Sequence, residues 1–567
     1  MDSIYDRALI EIGNENKYQT RYDVIYHIIF LVFWVGAYLN IILAITVTPH
    51  ECKIPEKPHN ISQLDWKIKN IPRYEDIKGK IQFDSCSMYV DPYKSNETKA
   101  CLEYTYDTTW YDKTVPSEYN WVCDKELHVV SIMISMKIAE VIGSIFFGWF
   151  SDVYGRRYTY MISITMLLLG RMISLLAGNS YIIFCIGVII AHLPSTTAAQ
   201  TISVICLEMS SLKRGAAITR IRFIANSFGS FIMPLILWWT RDWKLFVILT
   251  TAPLIPFVIM SWKMIESPRW LYSQGRVQES IIILKKIAKT NNKNMEANTE
   301  KVMISLNEKA AEKPQVCGVF TLFSSRRLAF NTILQTIVWM VSSLSYAYLL
   351  MSSGEKTDSN PFLEFAWQSL IETPSVFISA WLADKIGRRY TGITSLGITS
   401  VMWTSIVIRE NSSGGLIREW WVGSLFNIVA RLTTIVTFFV INLLSMEFYP
   451  TCLRQTGMAF GNIVGGAVAT MVPYMIYLGR RYDPRIPGFI LALTSFLGII
   501  AAFILPETLN AKLPETLEEA QHFGSKDSSR DSEQLKPLKN HREWHDLDLE
   551  FGWDGKNRVW EKFMKKC

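Results

Sequence analysis

Seven ionisable residues stand deep inside long apolar runs of this 567-residue chain: Lys137, Glu140, Arg171, Arg220, Arg222, Glu372 and Arg431. A charge in such a setting is costly and marks function by default. Lys137 and Glu140 are three apart, so on a helix they share a face and neutralise each other. Arg220 and Arg222 are two apart, point to different faces and lie near a run end that a long side chain can reach. Glu372, in "LIETP", and Arg431 are mid-run. They are available to each other either as a static tie or as a pair that a charged solute opens. Aromatic residues offer a second kind of recognition. Trp339 and Tyr346 are seven apart, Trp34 and Tyr38 four apart, so each pair lines one helix face. An organic cation over such a ring gains about 0.5–2 kcal/mol. Trp238, Trp239, Trp243, Trp420 and Trp421 stand at run ends and read as an interfacial belt. His192, alone before Pro194, reads as a core residue. The sequence offers no nucleophile–base pair, no metal-ligand cluster and no phosphate-cradling loop, which excludes an enzyme and points to no cofactor.

A second constellation occurs twice. "GWFSDVYGRRYT" (Gly148 to Thr159) and "AWLADKIGRRYT" (Ala380 to Thr391) each close an apolar run, and Asp152 and Asp384 lie 232 positions apart. "CLEMSSLKR" (Glu208, Arg214) recurs as "SMEFYPTCLR" (Glu447, Arg454), and "ESPRWL" (Glu266) recurs as "LPETLN" (Glu507), at offsets of 239 and 241 between the glutamates. Asp152 and Asp384 are expected to face a neighbouring helix N-terminus, where partial positive charge favours an anion. Arg156, Arg157, Arg388 and Arg389 have Glu208, Glu266, Glu447 and Glu507 as partners for a charge lattice. The plain alternative is cationic anchoring after membrane spans.

These residues need elements that hold them in an apolar medium. The chain is 49% hydrophobic and only 19% charged, and the apolar residues fall in blocks. A bilayer core of ~30 Å is crossed by ~20 apolar residues in a helix. Twelve blocks qualify: 24–48, 128–151, 157–178, 180–207, 216–239, 244–264, 328–351, 362–383, 391–408, 420–446, 456–478 and 487–505. No cleavable leader precedes them, so the first block is expected to act as its own anchor. Residues 263–327 carry 12 Lys/Arg against 6 Asp/Glu, whereas 49–127 carry 11 against 14. Cationic loops stay cytoplasmic, which sets 263–327 and both termini inside and 49–127 outside. Four of nine cysteines, Cys52, Cys86, Cys101 and Cys123, lie in that outer segment. They read as two disulfides with three possible pairings, in an oxidising compartment. The same segment holds glycosylation sequons at Asn60 and Asn96, and a third stands at Asn411.

The three recurrences fall after blocks 2 and 8, 4 and 10, and 6 and 12. The chain therefore divides into a cytoplasmic N-terminus (1–23), a six-helix half (24–262) bearing the outer loop 49–127, a cytoplasmic linker (263–327), a second half (328–505) and a cytoplasmic tail (506–567). Halves repeated about a membrane normal are a transporter architecture, with the solute site near mid-membrane between them. "SIIILKKIAKT" in the linker has the spacing of an amphipathic helix, and "GSKDSSRDSE" in the tail has the composition of a disordered stretch.

The doubled loop resembles the signature of the major facilitator superfamily. "TPHEC", the Cys-rich outer loop, "ESPRWLYSQGR", "EFYPTCLRQTG" and "LPETLNAKLPETLEEAQ" are similar to the organic cation/anion/carnitine transporter family over about residues 20–525. Sugar porters share an ESPR-like motif but lack this outer loop, and they carry a Gln-Gln pair where this chain has only Gln335. The resemblance implies an all-α membrane protein of twelve transmembrane helices in two pseudo-symmetric six-helix bundles. It implies a gradient-driven plasma-membrane carrier of small organic ions, above all cations or zwitterions such as carnitine-like amines. An organic anion exchanger and a non-transporting sensor that kept the fold are the alternatives. The bilayer and the solute are the expected partners, nucleic acid is not, and no oligomeric state is implied. The resemblance also makes the doubled charge lattice an inner gate, with Arg214 and Arg454 in it. It further makes Glu372, Arg431, Trp339, Tyr346, Trp34 and Tyr38 solute-binding. One departure is Gly466, which stands in block 11 where relatives carry a charge that selects the sign of the solute.

Overall fold

The computed structural model describes residues 4–13, 16–56, 62–75, 81–91, 97–209, 212–309, 319–352, 360–412, 417, 419–449 and 453–509. Among the described residues, eleven helices are long and apolar enough to cross a bilayer. Spans 1–6 are Lys17–Ala44, Cys123–Tyr154, Arg156–Leu176, Tyr181–Glu208, Leu212–Thr240 and Trp243–Ser261. Span 7 is Arg326–Ser352, and spans 9, 10 and 12 are Arg388–Asn411, Trp420–Phe448 and Arg485–Ile504. Span 11 is Arg454–Ala469 followed by Val472–Arg481. Span 8, 361–386, falls outside that count although it is one of the twelve apolar runs of the sequence. It carries Glu364, Gln368 and Glu372 and is divided into Pro361–Leu370 and Glu372–Ile386. Twelve spans result, in two halves of six.

Local chemistry sets the ends and breaks. Asp242 caps span 6 by accepting from the amides of Lys244 and Leu245, and Asn360 caps span 8 ahead of Pro361 in the same way. Proline removes a helical donor and crowds the carbonyl four residues back. Pro374 therefore explains the break after Leu370, and Pro473 the break after Ala469. Span 1 contains a π-helical stretch, Asp23–Ile29, after its first turns.

The segment between spans 1 and 2 is a small unit of its own. His50–Cys52 pairs antiparallel with Tyr104–Tyr106, and Ser87–Tyr89 pairs with Thr98–Ala100. Disulfides join Cys52 to Cys101 and Cys86 to Cys123, which resolves the three pairings the sequence left open. The unit is tied to the turn between spans 5 and 6. Arg241 donates to the carbonyls of Thr108 and Thr109, and Glu118 accepts from Trp243 Nε1 at 2.7 Å and Lys244 Nζ at 2.6 Å. Trp243 is consequently buried, at 1% exposure, and is no part of an interfacial belt, whereas Trp239 is 79% exposed.

At the other rim the linker forms Val277–Thr290, an amphipathic helix burying Val277, Ile281, Leu284 and Ile287 on one face. The N-terminal residues are not plain polar chain. Ile4–Ile12 is a helix whose Tyr5, Ala8, Leu9 and Ile12 are buried, and it packs on the linker helices Val277–Thr290 and Ala297–Lys309. Asn291 locks this junction, accepting from the Tyr18 amide and donating to Ile12 O and Gln19 Oε1.

The halves pack on each other through spans 5 and 8 and through spans 2 and 11. Ser227 donates to Ser369 O at 2.5 Å, Tyr111 meets Phe362 with ring centroids 4.9 Å apart, and Arg480 approaches Glu126 at 3.8 Å. These contacts lie towards the rim that carries the disulfide-bonded unit, away from the GRR loops.

Candidate functional site

A cavity of about 260 Å³ lies between the halves, bordered by spans 1, 2, 4, 5, 7, 10 and 11. Three of the six expected binding residues, Trp34, Tyr38 and Tyr346, line it. Trp34 and Tyr38 stack face to face, 5.1 Å between centroids and 4° between planes. The other three do not reach its wall. Trp339, 2% exposed, packs into span 11, where a Cβ on Gly461 would meet its ring at 2.5 Å. Glu372 and Arg431 form a closed pair behind Tyr346. Arg431 donates from Nε at 2.9 Å and Nη2 at 2.7 Å to one oxygen of Glu372, with the side chains 0% and 4% exposed. Tyr346 joins them to the cavity, its hydroxyl 3.4 Å from the same oxygen and its ring 5.9 Å from the guanidinium. Sequence spacing placed these charges in spans 8 and 10. That they face each other rather than the solute space follows from how the two helices turn against span 7.

Among the described residues, the charges at the wall are Lys137 and Glu140. They do pair on one helix face, at 2.9 Å, but the pair is not hidden in protein. Tyr38 donates to Glu140 Oε1 at 2.9 Å, and Lys137 stands 3.4 Å from the Tyr38 hydroxyl. Behind them Arg171, 1% exposed, donates to the carbonyls of Ala37 and Tyr38 and meets His192 Nε2 at 3.0 Å. His192 is thus a buried core residue with a partner. Gln200, Asn226 and Asn462 add uncharged polar groups to the lining. Gly466 also lines it, and a Cβ there would lie 3.1 Å from Val141 Cγ2. The span 11 wall is therefore not only uncharged but pressed close to span 2.

The doubled loop builds the same corner in each half. Gly155 and Gly387 adopt φ of +102° and +105°, a backbone that other residues rarely take. The turn aims the next two amides at a glutamate. Glu266 accepts from Arg156 N at 2.9 Å and Arg157 N at 3.1 Å, and Glu507 from Arg388 N at 2.9 Å and Arg389 N at 3.0 Å. These two glutamates, not Asp152 and Asp384, occupy the helix N-termini. The aspartates are 75% exposed and pair with the arginine one turn on, Arg156 at 3.0 Å and Arg388 at 3.4 Å. Each of those arginines also reaches across to the next acid, Arg156 to Glu208 at 3.3 Å and Arg388 to Glu447 at 3.1 Å. Arg157 and Arg389 differ from expectation. Their guanidiniums donate to backbone carbonyls, of Ser261 and Trp262 in one half and of Phe503 in the other. Their separation from the acids follows from their position, one residue further round the helix. None of these contacts joins one half to the other. The side chains of Arg214, Arg220 and Arg454, the sequon residues Asn60 and Asn96, and the tail beyond 509 lie outside the described residues.

Comparison with known proteins adds three kinds of likeness. The family model "Sugar (and other) transporter" matches residues 87–520. The chain is 25% identical over 543 residues to the organic cation transporter protein of Drosophila melanogaster, covering 93% of this chain and 96% of that one. It is 23% identical over 510 residues to organic cation/carnitine transporter 2 of Homo sapiens, covering 85% and 87%. It is 23% identical over 565 residues to the beta-alanine transporter of Drosophila melanogaster, covering 91% and 89%. Among solved structures it matches the E. coli xylose transporter XylE, in a partially occluded inward-open conformation, with a TM-score of 0.56 and 14% identity over 86% of this chain and 99% of that one.

Proposed function

Because the chain belongs to the sugar (and other) transporter family, within the major facilitator superfamily, we propose that it is a secondary transporter of small organic cations and zwitterions that works by alternating access. The observation that carries this reading is the cavity. It lies between two duplicated halves and combines stacked aromatic rings with a carboxylate and an ammonium group at its wall. The names of the relatives agree in chemistry, since organic cations, carnitine and β-alanine share a cationic nitrogen, and the last two also carry a carboxylate.

In this proposal Trp34, Tyr38 and Tyr346 contact the solute, and the rings hold its cationic nitrogen. Glu372 and Arg431 act through Tyr346 and hold its hydroxyl in place, while Trp339 sets the distance between spans 7 and 11. Asp152, Arg156, Arg157, Glu208, Glu266 and their counterparts Asp384, Arg388, Arg389, Glu447 and Glu507 stiffen the inner corner of each half, so that the halves rock as bodies. Arg214 and Arg454 belong to the same corners. The GRR rim is cytoplasmic, as the cationic linker requires, and the disulfide-bonded unit is extracellular, with Asn60 and Asn96 as its glycan sites. The plasma membrane is then its location. With the halves joined towards the outer rim, the arrangement is the inward-facing one. For a cation the membrane potential supplies about 2.3 kcal/mol per charge per 100 mV.

Uptake into cells expressing the full chain tests this. Saturable, competable uptake from a panel of labelled organic cations, zwitterions and anions is expected, with cations or zwitterions preferred. Glu372→Gln and Arg431→Gln are expected to change uptake in parallel with Tyr346→Phe, because all three act through one hydroxyl. A surface-expressed chain that moves none of the panel would refute transport.

A further inference from the structure

The relation that carries the GRR loop of span 2 onto that of span 8 also carries Glu140 onto Glu372, each twelve residues before its aspartate. The relation between Glu208 and Glu447 carries His192 onto Arg431, each sixteen residues before its glutamate. The two walls of the cavity therefore share one plan, in which a tyrosine of the first helix of the half donates to a glutamate of the second. The bonds are Tyr38 to Glu140 at 2.9 Å and Tyr346 to Glu372 at 3.4 Å.

The walls differ in their cation. Glu372 is held by Arg431 from a different helix, through two hydrogen bonds and out of reach of the cavity. His192, the counterpart of Arg431, is engaged by Arg171 instead, and Arg171 is itself tied to carbonyls of span 1. Glu140 consequently has a cation from its own helix, Lys137, on a long flexible stem at the cavity wall. One pair is clamped; the other can swing.

Resting on the transport reading above, we infer that Lys137 and Glu140 are the element that reads the charge of the solute, and that they select one bearing both an ammonium and a carboxylate group. Such a solute docks by exchange of partners. Its carboxylate takes Lys137, its ammonium takes Glu140, and every charge keeps a counter-ion throughout. A solute with one charge would take one member of the pair and leave the other unpaired in a poorly solvated cavity, which is strongly unfavourable. Tyr38 keeps Glu140 in place during the exchange. The indole Nε1 of Trp34, another residue of the cavity lining, is buried without a hydrogen-bond partner among the described residues. With Gly466 at the span 11 wall, that span adds no charge to bias the sign.

The test uses labelled ω-amino acids of two to six carbons, their methyl esters, which are cations only, and their N-acetyl derivatives, which are anions only. Uptake by the full chain at the cell surface is expected to favour at least one free amino acid over both of its blocked forms. Lys137→Met is expected to lower that uptake by about thirty-fold or more and to move the preference towards the ester. Glu140→Gln is expected to move it towards the N-acetyl form. The double exchange Lys137→Glu with Glu140→Lys keeps both charges at the wall and is expected to restore preference for the free amino acid, which separates loss of recognition from loss of folding. Wild-type preference for a blocked form, or an order of preference unchanged in both single variants, would overturn this inference and leave the transport reading standing. Absence of uptake of all three classes would overturn both.

Discussion

At the scale of residues, the GRR corner shows how little freedom a charge lattice leaves. Glu507 accepts from four backbone amides, those of Arg388, Arg389, Thr508 and Leu509. A Cβ on Gly387 would lie 2.6 Å from Glu507 Oε2, at a φ that strains any other residue. Gly387→Ala is therefore expected to cost about 1–3 kcal/mol and to lower the unfolding temperature in detergent. Gly397→Ala, in span 9 with nothing within 4 Å of the added carbon, serves as the control and is expected not to lower it. An equal temperature for the two variants would count against the tight corner. Glu507→Gln keeps the shape and removes the charge facing the helix N-terminus. Its expected cost is about 0.5–2 kcal/mol, read in the same assay.

At the scale of elements, the joint in span 8 and the docking of the disulfide-bonded unit carry separate expectations. Pro374 breaks span 8 at the level of Glu372, so Pro374→Ala should let the helix run on and turn Glu372 away from Arg431 and Tyr346. Uptake is expected to fall with surface expression retained, and unaltered uptake would show that the break has no part in the site. The disulfide-bonded unit depends on Glu118. Burial alone would raise the pKa of this carboxyl, but the hydrogen bonds from Lys244 and Trp243 outweigh that and hold it below its ordinary value. A group depressed in the folded state stabilises above its unfolded pKa and loses that contribution as the pH falls through the folded value. The protection of amides in 108–121, taken relative to their intrinsic exchange rates, should therefore be high at neutral pH and fall below about pH 4.5, the ordinary value of a glutamate. Glu118→Gln should be less protected at neutral pH and show a smaller loss of protection with acid.

At the scale of the whole molecule, the duplicated halves meet, among the described residues, through the contacts described above, and rocking must break them. Ser227 and Ser369, in spans 5 and 8, are in hydrogen-bond contact across that junction. A Ser227→Cys, Ser369→Cys double variant is expected to cross-link under mild oxidation and to lose uptake, with recovery on mild reduction. Full uptake by the cross-linked protein would refute the rocking of one half against the other. The packing of Ile4–Ile12 and the linker helices beneath spans 1–6 makes that half the heavier body.

Much of this was legible before any coordinates. Twelve apolar runs, their division into halves and the clustering of four cysteines in one loop follow from composition and repetition, because a bilayer demands ~20 apolar residues per crossing whatever the fold. The pairing of Glu372 with Arg431 was also open to a reader of the sequence as one possibility, since two opposite charges in adjacent apolar helices have few other partners. Three things were decided only by tertiary structure. Which acid caps each GRR helix depends on where residues over a hundred positions away return to the corner, and that placed Glu266 and Glu507 there rather than the nearby aspartates. Which cysteines pair depends on strand register in the loop. Which charges face the solute depends on how each helix is rotated about its own axis. A helix's periodicity tells which residues share a face, but only the neighbouring helices decide whether that face looks into the cavity, as with Lys137 and Glu140, or into protein, as with Glu372 and Arg431.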